Sequence, residues 1–134
     1  MTDRSAVFLD AARAMVPVLA EREAAAITGR CISPETIADF HRTGILRLLQ
    51  PQRFGGHQEN FCVFSRIIEI LAEGCAASAW VYAVLAEHQW IIACLPEQAQ
   101  KDIWGDDPLA VAASSLAPRE TARTTAGGWR LSGR

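Results

Sequence analysis

The chain has 134 residues, 50% of them apolar and 21% charged, with a formal net charge of −2. That length suits one ordinary domain with a modest core, and the balance is that of an ordered globular protein. A slightly acidic chain with no Lys/Arg stripe among its aromatics lacks the electrostatic footprint of a nucleic-acid binder.

Arg4 to Thr28 is rich in Ala, Leu and Glu at helical spacing, and Gly29 is a natural stop. Pro17 lacks the amide hydrogen that a helix interior needs, so a kink or break is expected near Val16. "SPET" signals a new start, with Ser33 as cap and Pro34 in the first helical position. This helix turns Ile37 and Phe40 inward and ends at Gly44; "ILRLL" is a short apolar segment and "PQRFGG" a turn whose glycines supply positive φ. Asn60 caps the next helix, Phe61 to about Glu73, with Phe64, Ile67, Ile68 and Leu71 on one face, and Gly74 breaks it. A further helix runs from about Ala77 to Cys94, and "LPEQAQKDIWG" restarts at Pro96 and stops at Gly105.

At Asp106-Asp107-Pro108 the character changes. "LAVAASSLAP" is small and apolar and reads as a strand, and "TARTTAGGWRLSG" as two short strands around Ala126-Gly127-Gly128, with Trp129 and Leu131 on one face. A few short strands cannot bury a sheet face unaided. The expected fold class is mainly α: a helical domain over residues 1–106, then the first strands of an incomplete β-domain over 107–134.

Composition bears on two further classes. Cys31, Cys62, Cys75 and Cys94 show neither CxxC nor zinc spacing, so they are expected to be reduced, mostly buried thiols of a cytoplasmic protein, with no metal site. No basic n-region with an apolar h-region marks a secretory signal. Ala76 to Leu95 is long enough to span a bilayer, but Glu87-His88-Gln89 would sit where lipid makes charge costly, so a buried helix is expected instead.

That helix holds the candidate site. His88 shares a face with Val81, Val84, Leu85, Ile91 and Ile92. Trp80 stands two i+4 steps earlier on what reads as the same ridge, about 12 Å along the axis. One reading is a core histidine bonded to backbone or carboxylate partners, with Trp80 as filler. The other is a pocket wall, where Trp80 offers a flat aromatic surface and His88 a group that exchanges protons near neutrality. Glu87 is expected to be solvated or interfacial, and Trp90 and Trp104 to be core or subunit contacts.

"GCAASAWVYAVLAEHQW" resembles the corresponding helix of the flavin-dependent monooxygenases that share the acyl-CoA dehydrogenase fold, among them oxygenase components of para-hydroxyphenylacetate and phenolic-steroid hydroxylases. "GILRLLQPQRFGG", "LPEQAQKDIWGDDP", "SSLAP" and "GGWRLSGR" follow the same family's order, so the resemblance runs from about Ser33 onward. It implies hydroxylation of a phenolic substrate by reduced flavin (FMN or FAD) and O2, the flavin supplied by a separate reductase. It also implies that the histidine matching His88 contacts the phenolic oxygen and that Ser114 reaches the same group. The tryptophan matching Trp80 would line the cavity shared by flavin and substrate. A strand serine bonded to backbone is the competing reading of Ser114.

The family's remaining β-domain and C-terminal helical bundle lie outside this sequence, so the chain alone is expected to bind flavin poorly and to be inactive. A complete protein would be a homo-oligomer, with no nucleic-acid or membrane partner. Two alternatives stand: an FAD-dependent acyl-CoA dehydrogenase or nitroalkane-oxidase-like enzyme, and a non-enzymatic helical interaction fragment. "SSLAP" lacks the Thr-Glu-Pro pattern common at that place in the dehydrogenases.

Overall fold

A computed structural model describes residues 3–114 and 121–132. Among these residues the order is α1 (Asp3–Gly29), α2 (Pro34–Thr43), two 3-10 turns (Ile45–Arg47 and Gln52–Phe54), α3 (Phe61–Ala72), α4 (Ala76–Ala93) and α5 (Glu97–Trp104). A hairpin of β1 (Arg123–Thr125) and β2 (Gly128–Arg130) follows.

The helix starts are chemical. Ser33 Oγ accepts from the Thr36 amide at 3.3 Å with Pro34 next in line, and Gly44 closes α2 at φ +77°. Asn60 Oδ1 accepts from the Cys62 and Val63 amides at 3.0 and 3.1 Å, satisfying two donors at the head of α3. Each side-chain cap is worth about 1 kcal/mol.

The core forms where three helices meet. From α1 come Leu9, Ala12, Met15 and Leu19, spaced three and four apart as one helical face requires. They pack with Val63, Phe64, Ile67, Ile70 and Leu71 of α3, which in turn meet Ala79, Tyr82 and Ala86 of α4. Phe40, Ile45, Leu46 and Leu48 close one end. Each large apolar side chain so buried contributes roughly 1.5–3 kcal/mol over leaving it in water. At Gly74 a Cβ would stand 2.5 Å from the Val16 carbonyl oxygen, so α1 approaches the α3–α4 junction backbone to backbone.

Several expectations are corrected. α1 continues unbroken through Pro17. Pro17 and Arg13 are both exposed, so the Arg13 carbonyl that loses its helical donor faces water, while buried Met15 and Leu19 hold both sides of the proline on α3. The left-handed residue after α1 is Arg30 (φ +50°), not Gly29. Cys31, Cys62 and Cys94 are exposed and only Cys75 is buried, all four as free thiols. "LAVAASSLAP" forms no strand over Leu109–Ser114, and Ser115–Pro118 lie outside the described residues. The hairpin is where it was expected, with Thr124 opposite Trp129, but Trp129 and Leu131 are exposed. Among the described residues no helix is long and apolar enough to cross a membrane.

Candidate active site

α4 is apolar nearly all round, the pattern of a helix surrounded by neighbours. Its exposed positions nevertheless include Trp80, Glu87, Trp90 and Ile91, so one flank of a core helix is open. His88 stands at the edge between the packed side and this flank and is 7% exposed.

The imidazole is held from both ends. Nδ1 lies 2.5 Å from the Val84 carbonyl oxygen one turn back, and Nε2 lies 2.7 Å from Ser114 Oγ. A carbonyl oxygen only accepts, so Nδ1 must carry the hydrogen and donate it. In the neutral ring this leaves the Nε2 lone pair pointing outward, and the Ser114 hydroxyl donates to it. Ser114 itself is exposed, so the pair spans the rim of the bundle: its nitrogen partner is buried and its oxygen partner faces outward.

Ser114 arrives from a segment without regular structure. After α5 the chain turns at Asp107, whose carboxylate accepts from the Leu109 amide at 2.9 Å and whose carbonyl accepts from the Ala110 amide at 3.1 Å. Buried Gln50 donates to the Pro108 carbonyl at 3.0 Å, and buried Gln89 donates to that of Ala110 at 3.4 Å. The exit segment is therefore pinned to the helices just before it reaches His88.

Trp80 lies on the open flank of α4. It is 71% exposed, whereas His88 is buried. Each i+4 step turns about 40° round the axis, so two steps carry Trp80 roughly 80° away from His88. The two residues stand on one i+4 ridge, with Trp80 on the open flank and His88 at its edge. Glu87 is exposed, Trp104 is core at 1% exposure, and Trp90 is half-open, edge-on to Phe61 with ring centroids 5.3 Å apart. The residue overlooked from sequence is Gln89. The signal was there, since an amide inside an apolar helix costs free energy unless both of its ends are bonded. Among the described residues, no group of three or more His, Cys, Asp or Glu side chains could hold a metal ion.

No protein-family model matches the chain. It is 35% identical over 105 residues to the oxygenase component of an FADH2-dependent resorcinol hydroxylase from Rhizobium sp., covering 78% of this chain and 26% of that protein. It is 33% identical over 125 residues to the oxygenase component of p-hydroxyphenylacetate 3-hydroxylase from Acinetobacter baumannii, covering 93% and 30%. Its homologues are the oxygenase components of flavin-dependent monooxygenases. The crystal structure of the HsaA monooxygenase from M. tuberculosis superposes with a TM-score of 0.87 at 30% identity, over 93% of this chain and 33% of that one. The helical bundle therefore has the acyl-CoA dehydrogenase fold of these monooxygenases, as the motif order implied. The chain spans about a third or less of the length of the relatives it matches.

Proposed function

We propose that this chain forms one wall of the active site of a flavin-dependent monooxygenase that hydroxylates a phenolic substrate with reduced flavin and O2. The observation that carries the reading is the doubly held imidazole, with Nδ1 on the Val84 carbonyl at 2.5 Å and Nε2 on Ser114 Oγ at 2.7 Å. Such a ring is oriented before any ligand arrives and offers a lone pair to an O–H donor. A phenol hydroxyl entering from the open flank takes the place of the serine hydroxyl on Nε2. Ser114 then turns its hydrogen toward the phenolic oxygen. As the proton moves to Nε2, the Val84 carbonyl still accepts from Nδ1 and stabilises the imidazolium. A phenol relieved of its proton has a more electron-rich ring, which is what an electrophilic oxygen donor requires.

Reduced flavin, FMN or FAD, supplies that donor by activating O2, and a separate reductase supplies the reduced flavin, as befits relatives described as oxygenase components. The group in this chain that suits a flavin is Trp80. Its open indole is a planar apolar surface of the kind on which an isoalloxazine ring stacks, next to the face that carries His88. Residues 1–106 are read as the helical domain and 107–134 as the opening of the middle β-domain, in a protein that assembles as a homo-oligomer. By itself the chain presents a single wall, so the 134 residues alone are expected to form no product from reduced FMN, O2 and a phenol.

The test is hydroxylated product formed per reduced flavin oxidised, in the oxygenase carrying this chain. His88→Ala is expected to slow hydroxylation on the order of 100-fold, the lower range for a positioned proton acceptor, with flavin oxidation continuing. Ser114→Ala removes one hydrogen bond and is expected to cost about 2- to 10-fold. Unchanged product yield in His88→Ala would remove the imidazole from this role.

A further inference from the structure

We propose that Gln89 is a positioning residue for the His88–Ser114 pair: its carboxamide latches the exit segment to α4 and so sets where the Ser114 hydroxyl meets the imidazole. The inference rests on the reading of that pair as functional, and it adds a residue whose carboxamide bonds to neither partner.

Gln89 is 1% exposed, and both ends of its amide are bonded. Trp104 Nε1 donates to its Oε1 at 3.1 Å, and its Nε2 donates to the Ala110 carbonyl at 3.4 Å. The indole nitrogen can only donate and the carbonyl can only accept, so the amide has one orientation that satisfies both. It therefore acts as a bridge of fixed sense from α5 through α4 to the exit segment. Gln89 follows His88 directly, and successive helical side chains diverge by about 100°, so one turn of α4 presents the proton acceptor on one side and the latch on another.

The segment itself has little else with which to hold its register. Between Ala110 and Ser114 stand only Val111, Ala112 and Ala113, whose side chains carry no polar group. Gln50 secures Pro108 and the Asp107 carbonyl accepts from the Ala110 amide, and Gln89 holds the Ala110 carbonyl, the last of these anchors before Ser114. An Ala110 carbonyl released from Gln89 would let the hydroxyl drift, and an O–H···N bond weakens steeply with distance and angle.

The experiment is imidazole 15N NMR on the 134-residue chain, without flavin or substrate, at a pH where His88 is neutral. Ser114→Ala is expected to shift the Nε2 resonance downfield, toward that of a free lone pair. Gln89→Met keeps length and apolar volume but removes both hydrogen bonds. It is expected to shift Nε2 in the same direction, to leave Nδ1 on its Val84 partner unmoved, and to add nothing in the double variant with Ser114→Ala. If Gln89→Met does not fold, adding Trp104→Phe removes the indole N–H that Met leaves unpaired while keeping a ring in the core: a downfield Nε2 shift in that pair supports the latch, and none overturns it.

A Nε2 resonance that responds to Ser114→Ala but not to a folded Gln89→Met overturns the positioning role while leaving the proposed function intact. Shifts that add in the double variant overturn it equally. Conversely, a shared, non-additive shift together with unchanged product yield in His88→Ala would keep the latch and remove the proposed chemistry. If Ser114→Ala itself leaves Nε2 unmoved, the contact that Gln89 is said to set does not exist and the inference falls.

Discussion

Gly56→Ala adds one methyl group where the backbone leaves no room for it. A Cβ there would lie 2.1 Å from the Gln50 carbonyl oxygen, 2.4 Å from its carbon and 2.5 Å from Gln50 Cβ. Non-bonded carbons are most comfortable at about 3.5–4.0 Å, so the turn and the Gln50 backbone must separate by roughly 1 Å. Gln50 cannot retreat cheaply, because it is fully buried and its amide holds both the Phe54 and Pro108 carbonyls. Overpacking of this kind costs about 1–3 kcal/mol. Displacement also loosens the Gly56 amide on the Pro51 carbonyl (3.1 Å) and the Gln58 amide on the Gln50 carbonyl (2.9 Å). Each such bond contributes about 0.5–1.5 kcal/mol net, so a total near 3 kcal/mol is expected. For a chain of this size that lowers Tm by about 10 °C. Gly128→Ala is the control, since nothing lies within 4 Å of a Cβ there, and it should stay within about 0.5 kcal/mol of wild type. Urea unfolding of the three proteins measures the difference. A Gly56→Ala midpoint that matches Gly128→Ala would show that the close approach is not there.

Asn60→Ala removes the acceptor for two amides at the head of α3 and should cost about 1 kcal/mol, whereas Asn60→Asp should be close to neutral; urea midpoints decide. Tyr82→Phe should cost less than about 1 kcal/mol despite full burial, because the hydroxyl reaches the Ile45 carbonyl only at 3.5 Å and that carbonyl keeps the Leu48 amide at 3.1 Å. A loss well above that, again in urea, would mean the hydroxyl does more than this geometry indicates. Burial first, then the guanidinium groups of Arg47 and Arg4, holds the His57 imidazole below the usual histidine range. As pH falls below about 6.5 the unfolded chain takes up this proton before the folded one does. The contribution is therefore complete above that pH and is lost as pH drops through the lower folded value. His57→Gln should flatten stability against pH in that interval, and a slope unchanged from wild type would count against the assignment.

The glycine pair of "RFGG" shows how far sequence reasoning reaches. Gly55, at φ +85°, is needed for the backbone conformation that the motif suggested. Gly56 is needed for a different reason, the approach of Gln50, which no local pattern announces. The same division runs through the candidate site. His88 drew notice as a polar residue in an apolar run, and it proved buried and bonded. Its tautomer depends on the Val84 carbonyl one turn back, and its partner on a segment that was expected to be a strand. Trp80 stands on the same i+4 ridge as His88, but two steps of about 40° set it toward the open flank, which only the packing of the neighbouring helices reveals.

What the amino-acid order determined by itself is what neighbours in the chain decide. The caps at Ser33 and Asn60, the stop at Gly44, the inward face of α3 and the Ala126-Gly127 turn each follow from residues within a few positions of one another. Only the tertiary structure decided that α1 runs through Pro17, that three cysteines face outward, and that Gln89 reaches from Trp104 to Ala110. Those outcomes turn on which surfaces meet. A proline penalty of about 3 kcal/mol is outweighed once Met15 and Leu19 are packed, and an amide is tolerated in a core once donors and acceptors from distant segments arrive to fill it.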